Sequence, residues 1–221
     1  MALRAVVFAA FMLATATTSL AQPKPPLGRF VVDLRGASAA LPTVEGWTPV
    51  VPAGTVAPSR SLGIEVAAHV YPLRLRLLAI GLGASWLVAG GTTRPAPLTT
   101  GTTPATPALP ELTTRLRSFA PQLSLNFGHA LGWSYLSAGL GQSTVTSEAS
   151  AVSVVALPAR LEAEGVKTLN FGGGARWFIN DHLGVGFDLR WHKLSLVAAS
   201  ATHPGAPRAS LLTAGVGISV K

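Results

Sequence analysis

Eight ionisable residues fall in stretches whose other side chains are small or apolar: Asp33 and Arg35, Glu65 and His69, Arg176, and Asp188, Arg190 and His192. Spacing by two or four places such side chains on one face of a β-strand. Charges of both signs sharing a face suit mutual pairing, because an unpaired buried charge is costly. Lined along a passage, the same groups would instead conduct ions or protons. Hydrolysis is the other chemistry to weigh, and it requires a nucleophile, a base and an orienting group. His192 with Ser195, aided by Glu65 or Asp188, is the grouping worth naming, but His192 has the wrong phase for a lipid-facing site. Gly-x-Ser-x-Gly, His-Glu-x-x-His and P-loop patterns are absent, so no catalytic residues are assigned. The chain lacks cysteine, which closes the disulfide and thiolate-metal readings, and no metal or cofactor is implied.

Glycine marks the strands that carry these charges. Five Gly-x-Gly pairs, Gly81/Gly83, Gly139/Gly141, Gly172/Gly174, Gly184/Gly186 and Gly215/Gly217, each sit in an alternating stretch. In every pair both glycines face the same side as the charges. The opposite face is bulky: Ile80 and Leu82, Leu136 and Leu140, Phe171, Val185, Phe187 and Leu189, Val216 and Ile218. A soluble sheet turns its large residues toward a core. A wall with one face of aliphatic and aromatic groups, and another of glycine, hydroxyls and charge, suits a barrel standing in lipid.

Eight strand-like stretches follow along the chain: 29–37, 61–71, 74–86, 118–127, 134–141, 167–178, 184–193 and 210–220. Eight is the smallest number that closes a transmembrane barrel, and each stretch is near the ~9–11 residues needed to cross. Long segments (38–60, 87–117, 142–166 and 194–209) alternate with tight ones (72–73, 128–132 and 179–183), as in an up-and-down barrel with short periplasmic turns and long outer loops. The expected fold is therefore all-β, an eight-stranded antiparallel up-and-down transmembrane β-barrel. Residues 77–93 hold no charge and also fit one membrane helix, but Gly81, Gly83, Gly90 and Gly91 argue for a strand. Pro121 lacks an N–H and predicts a bulge. Residues 92–114, rich in threonine, proline and alanine, read as a surface loop.

The chain has 221 residues, 12% of them charged and 48% hydrophobic, which is ample for one domain. Arg4, the apolar run 5–16 and Ser19-Leu20-Ala21 form a signal peptide pattern, dividing the chain into a leader (1–21), a short segment (22–28) and a barrel domain (29–221). On the apolar face Phe30, Phe127 and Trp177 fall at one end of the strands and Trp86, Phe119 and Trp191 at the other, giving an aromatic girdle at each interface. Tyr71 and Trp133 are out of phase with that scheme. The net charge of +8 finds a location at the outer ends, where Arg60, Arg94, Arg115 and Arg117 would meet lipopolysaccharide phosphates. Arg160 and Arg208 lie at the same ends. A nucleic acid partner is disfavoured, because no basic run carries interleaved aromatics.

The run Leu169-Asn170-Phe171-Gly172-Gly173-Gly174-Ala175-Arg176-Trp177-Phe178, followed by Asn180-Asp181-His182-Leu183-Gly184-Val185-Gly186-Phe187-Asp188-Leu189-Arg190, resembles the small outer-membrane β-barrel domain family, the OmpA-like and OmpX-like barrels of Gram-negative bacteria. The likeness is close over 169–190 and holds as pattern over 29–220. The chain departs from it by finishing Ile218-Ser219-Val220-Lys221, where such barrels usually finish on an aromatic residue. The resemblance implies a protein exported to the outer membrane, contacting outer-membrane lipids, with a structural or surface-interaction role and a closed, charge-filled lumen. Three alternatives stand beside it: a narrow ion channel, an outer-membrane lipid hydrolase, and a soluble lipocalin-like barrel. The last predicts the reverse orientation, with bulk inside and polarity outside.

Overall fold

The computed structural model describes residues 27–52, 54–75, 78–94, 109–150, 159–201 and 203–221. The expected leader, residues 1–21, lies outside the described residues, as does most of the Thr/Pro-rich segment. Eight strands run β1 (Phe30–Ala40), β2 (Arg60–Arg74), β3 (Leu78–Thr93), β4 (Leu112–His129), β5 (Gly132–Ala149), β6 (Arg160–Phe178), β7 (Leu183–Leu194) and β8 (Ala209–Val220). Each pairs antiparallel with its sequence neighbour, and β1 closes on β8. Residues 78–93 are thus a strand and not a membrane helix.

Two ends of the barrel are distinguished by their connections. One carries the short turns (75–77, 130–131 and 179–182) together with the start of β1 and the end of β8; the other carries the four longer loops. Between them the wall has the inverted polarity read from the alternation. Leu34, Ile64, Leu82, Leu123, Leu136, Phe187 and Val216 are exposed on the outside, while Asp33, Glu65, Gln122, Ser137 and Arg190 are buried inside.

Several strands outrun the expected limits at the loop end, and the main reason is shared. Strands β4, β5 and β6 have 18, 18 and 19 residues, about twice what a bilayer crossing requires. Beyond the Trp86–Phe119 pair charge moves to the outer face, while the inner face mixes apolar groups with hydrogen-bonded hydroxyls such as Ser118–Ser143 and Thr114–Ser147. Arg115, Arg117, Thr144 and Glu148 now face outward, whereas Leu116, Val145, Ala163 and Val166 pack inside with Leu87 and Leu194. A phase defined by large residues pointing out is lost there, although the backbone ladder continues. On β6 a bulge adds to the loss: Ser143 pairs with Val166 and Val145 with Ala163, so two residues, Glu164 and Gly165, oppose one. Gly165 has φ of 61°, the left-handed conformation that glycine supplies cheaply at such bulges. Consequently the connections shorten to 94–111 and 150–159, and Thr92, Thr93 and Leu112 to Thr114, expected in a loop, belong to the β3–β4 ladder. The Thr92 and Thr113 hydroxyls lie 3.0 Å apart across it.

Pro121 makes no bulge. It stays in register opposite Ala84 of β3, and toward β5 the ladder skips Ala120 and Pro121 between Phe119–Gln142 and Gln122–Gly139 without a shift. A proline costs the ladder one donor, and here the strand absorbs that loss locally. The bulge lies instead at Tyr71-Pro72, inside β2, where the sequence suggested a turn. Gly81 stands across from it, and a Cβ there would come within 2.6 Å of the Tyr71 ring and 2.5 Å of the Ser124 hydroxyl. The glycine is the space that the tyrosine occupies.

Candidate functional site: the barrel interior

Alternation on β1, β2, β6 and β7 brings Asp33, Arg35, Glu65, Arg176, Asp188 and Arg190 into one buried layer. Asp33 takes a bidentate contact from Arg176, Nε to Oδ1 at 2.8 Å and Nη2 to Oδ2 at 2.6 Å. It also accepts the Ser219 hydroxyl at 2.6 Å and pairs with Arg35 Nη2 at 2.8 Å. Arg35 passes on to the Tyr135 hydroxyl at 3.0 Å, which donates to Asp188 at 2.6 Å. Arg190 binds Asp188 through Nε and Nη2, at 3.1 and 3.0 Å, and donates to Ser137 at 2.8 Å. Glu65 sits between Arg35 and Arg190 at 3.7 and 3.8 Å, close enough to neutralise and too far to hydrogen bond. Three carboxylates face three guanidiniums, so the layer balances in charge.

The neighbouring strands leave room for these groups through their inward glycines. A Cβ on Gly174 would lie 1.9 Å from the Phe187 carbonyl oxygen and 2.9 Å from the Tyr135 hydroxyl. Tyr135, which sequence reading did not select, is the hub. Its hydroxyl bridges the two halves of the network while its ring lies 3.9 Å below the Arg176 guanidinium. An inward Tyr two positions from Trp133 and from Ser137 was visible by parity, but an uncharged side chain gave no reason to single it out.

The two histidines are buried inside but stand apart from the ion pairs. His69 Nε2 lies 3.2 Å from Gln122 Oε1, in a cluster where the Gln122 amide reaches Ser85 at 2.6 Å and Asn170 at 3.4 Å. His192 is buried, and among the described residues neither of its ring nitrogens has a hydrogen-bond partner. Ser195 lines a groove on the outside of the wall. His192 and Ser195 therefore face opposite sides, and the residues do not form a nucleophile–base pair. Among the described residues there is also no cluster of metal-ligating side chains.

Apolar groups fill the interior above and below the charged layer. At the turn end Leu27, Val31, Ala79, Tyr71, Trp133 and Phe178 pack together. Trp133 stacks on Phe178 with centroids 4.7 Å apart and meets Tyr71 edge-on at 6.3 Å. The two aromatics that had no place in the girdle thus belong to this plug. Lys221 lies across it, donating to the Ala130 carbonyl, with Nζ 4.0 Å from the Phe178 ring centroid. Desolvation there pushes the ammonium below the ordinary lysine value. At the loop end Trp47, from the β1–β2 loop, is 2% exposed and packs with Leu41, Leu116, Leu194 and Ala206. Its indole N–H donates to the Pro207 carbonyl at 2.9 Å, tying the first loop to the last.

On the outside, all six expected girdle residues, Phe30, Phe127 and Trp177 and Trp86, Phe119 and Trp191, are exposed. Trp86 is the cross-strand partner of Phe119, and Phe171 stacks on Trp191 at 5.8 Å. Of the four outer arginines, Arg60 is exposed at the start of β2, and Arg94 is exposed and paired with Glu111 at 3.2 Å. Arg115 and Arg117 border a small polar cleft that also contains Glu148, Glu162 and Arg160. Arg160 and Glu162 pair at 2.6 Å.

No family model and no curated protein matches the chain. Among solved structures, Neisserial surface protein A is similar with a TM-score of 0.52 at 12% identity, over 88% of this chain and 97% of that one. The attachment invasion locus protein Ail of Yersinia pestis, solved with the heparin analogue sucrose octasulfate, has a TM-score of 0.51 at 10% identity, over 88% and 98%. The fold is that of the small eight-stranded outer-membrane barrels.

Proposed function

We propose that this chain is an integral outer-membrane barrel with a structural or surface-interaction role and a lumen closed to solutes. The turn end faces the periplasm, the loop end faces outward, and residues 1–21 are the export leader removed on the way. One observation supports the closed lumen above others. Apolar plugs around Trp133 and around Trp47 occupy the two ends of the interior, with a charge-balanced, mutually paired layer between them. An eight-stranded interior has little more room than its side chains need. The inverted polarity supports the membrane reading, since Leu136, Phe187 and Val216 remain exposed to whatever surrounds the barrel. The outer arginines Arg60, Arg94, Arg115 and Arg117 would meet lipopolysaccharide phosphates at the outer surface, above the aromatic girdle. A catalytic role draws no support from the geometry, because the candidate His192 and Ser195 lie on opposite faces of the wall.

Planar-bilayer recording of the purified barrel tests this reading. The expected result is a membrane without discrete openings, in the wild type and after Asp188→Asn or Arg190→Gln. Openings in the wild type whose size or selectivity responds to either substitution would overturn the closed lumen and make the charged layer an ion path.

A further inference from the structure

The lipid-facing wall is not uniformly convex. Down β5 and β6 the outward bulk is interrupted at Ala138, Gly173 and Ala175, with Leu136 lying against Gly173 and Phe171 beside Ala138, between flanks of Leu123 and Phe127 on one side and Phe187 and Trp191 on the other. The result is an open apolar groove of about 870 Å³. At the loop end it meets a second groove of about 910 Å³, whose floor is Phe119, Leu140 and Leu169. The register makes the two continuous: Leu140 pairs with Leu169 one step along the same outward face from Ala138 and Phe171.

Three cations rim the upper groove, each from a different element: Lys167 of β6, Lys193 of β7 and Arg208 before β8. No carboxylate lines it. Among the described residues none of the three takes part in an ion pair, in contrast to Arg94 and Arg160, which are paired. Lys193 Nζ lies 5.4 Å from the Phe171 ring centroid, and Phe171 stacks on Trp191. The ammonium is therefore held at the level of the outer aromatic girdle, directly above a strip that only hydrocarbon would wet.

We infer that the β5–β7 face is a docking site for one phosphorylated glycolipid of the outer leaflet, with an acyl chain in the apolar groove and its phosphates among Lys167, Lys193 and Arg208. Charge complementarity decides the occupant. A neutral lipid would fill the groove equally well but would leave three unpaired cations, converging from three elements, with nothing to bind. Amphipathic cations near an interface each contribute to anionic lipid attraction, and phosphate accepts charge-assisted hydrogen bonds from ammonium and guanidinium alike. The site is separate from Arg94, which pairs with Glu111, and from Arg115 and Arg117, which share a cleft with Glu148 and Glu162. It rests on the outer-membrane reading, since the lipid exists only there.

The test folds the full chain into phosphatidylcholine nanodiscs, adds a minor fraction of lipid A, and counts retained lipid by native mass spectrometry. Insertion itself is read separately from the heat-modifiable gel shift. Wild type is expected to retain one lipid A in preference to phosphatidylglycerol, and to lose that preference when the lipid A lacks its phosphates. The variant Lys167→Gln/Lys193→Gln/Arg208→Gln, altering only exposed side chains, should weaken retention about a hundredfold, as three interfacial cations would predict. Arg29→Gln, exposed at the turn end, should leave it unchanged. Equal retention by wild type and the triple variant, or equal retention of phosphatidylglycerol, overturns the inference. A chain that never inserts overturns the membrane reading beneath it instead.

Discussion

Substituting Asp33 by Asn keeps the shape of the side chain and removes one charge from the most enclosed part of the barrel. Asp33 has no exposed surface, and Arg176, its bidentate partner, is 1% exposed. In the native layer Asp33, Glu65 and Asp188 balance Arg35, Arg176 and Arg190. After the change three guanidiniums face two carboxylates, and the two that contacted Asp33 at 2.6–2.8 Å keep at most an amide oxygen. Leaving a buried charge uncompensated costs about 3–5 kcal/mol. Arg35 still has Glu65 at 3.7 Å and Tyr135 at 3.0 Å, so the expected loss is toward the lower end, about 3 kcal/mol. Arg176→Gln should cost less, because Asp33 loses its bidentate partner but keeps Arg35 at 2.8 Å and the Ser219 hydroxyl at 2.6 Å. The double variant restores the balance and should be more stable than the sum of the singles predicts, by about 2 kcal/mol. Equilibrium urea unfolding in phospholipid vesicles, followed by tryptophan fluorescence with heat-modifiable gel mobility as a second probe, measures all four corners of the cycle. A loss under about 1 kcal/mol for Asp33→Asn, with additive singles, would refute the reasoning. It would mean that the layer is bathed in water and screened, and that the plugs do not close it.

Two further outcomes follow from the wall itself. Leu136→Arg places a cation on the lipid-facing side and should destabilise the vesicle-inserted barrel by about 2–4 kcal/mol, whereas Thr144→Arg, outward above the girdle, should be near neutral; equal effects in the same unfolding assay would refute the change in the outer face beyond Phe119. Gly174→Val should abolish the folded gel band, because its Cβ would sit 1.9 Å from a backbone oxygen that cannot move away, while Gly90→Ala, with its nearest neighbour at 3.6 Å, should fold like wild type; a normal folded band for Gly174→Val would sink the close-approach explanation of the glycine pairs.

Much of this barrel is a consequence of period two. Within the lipid-facing belt, the alternation of Phe187, Leu189 and Trp191 with Gly186, Asp188 and Arg190 needs no tertiary knowledge to interpret, because adjacent residues of a strand must face opposite sides. The inward position of the charges and the alternation of short and long connections were readable for the same reason. Outside the belt the same rule misleads. The sense of the alternation depends on which solvent each face meets, and that changes above Trp86 and Phe119, where water replaces hydrocarbon. Leu116 and Val145 then point in and Arg115 and Arg117 point out, so the outer halves of β3 to β6 resembled loop.

Residue types and their spacing along the chain determined the strand count, the closed antiparallel wall and its two faces, since these depend on local geometry repeated eight times. Which inward groups meet was decided by closure alone. Asp33 and Arg176 are 143 positions apart, and Trp47 and Pro207 are 160 apart. Their proximity depends on the stagger between neighbouring strands summed around the barrel. That stagger is set by ladder register and by the bulges at Tyr71-Pro72 and Gly165, neither of which leaves a signal in hydrophobic pattern.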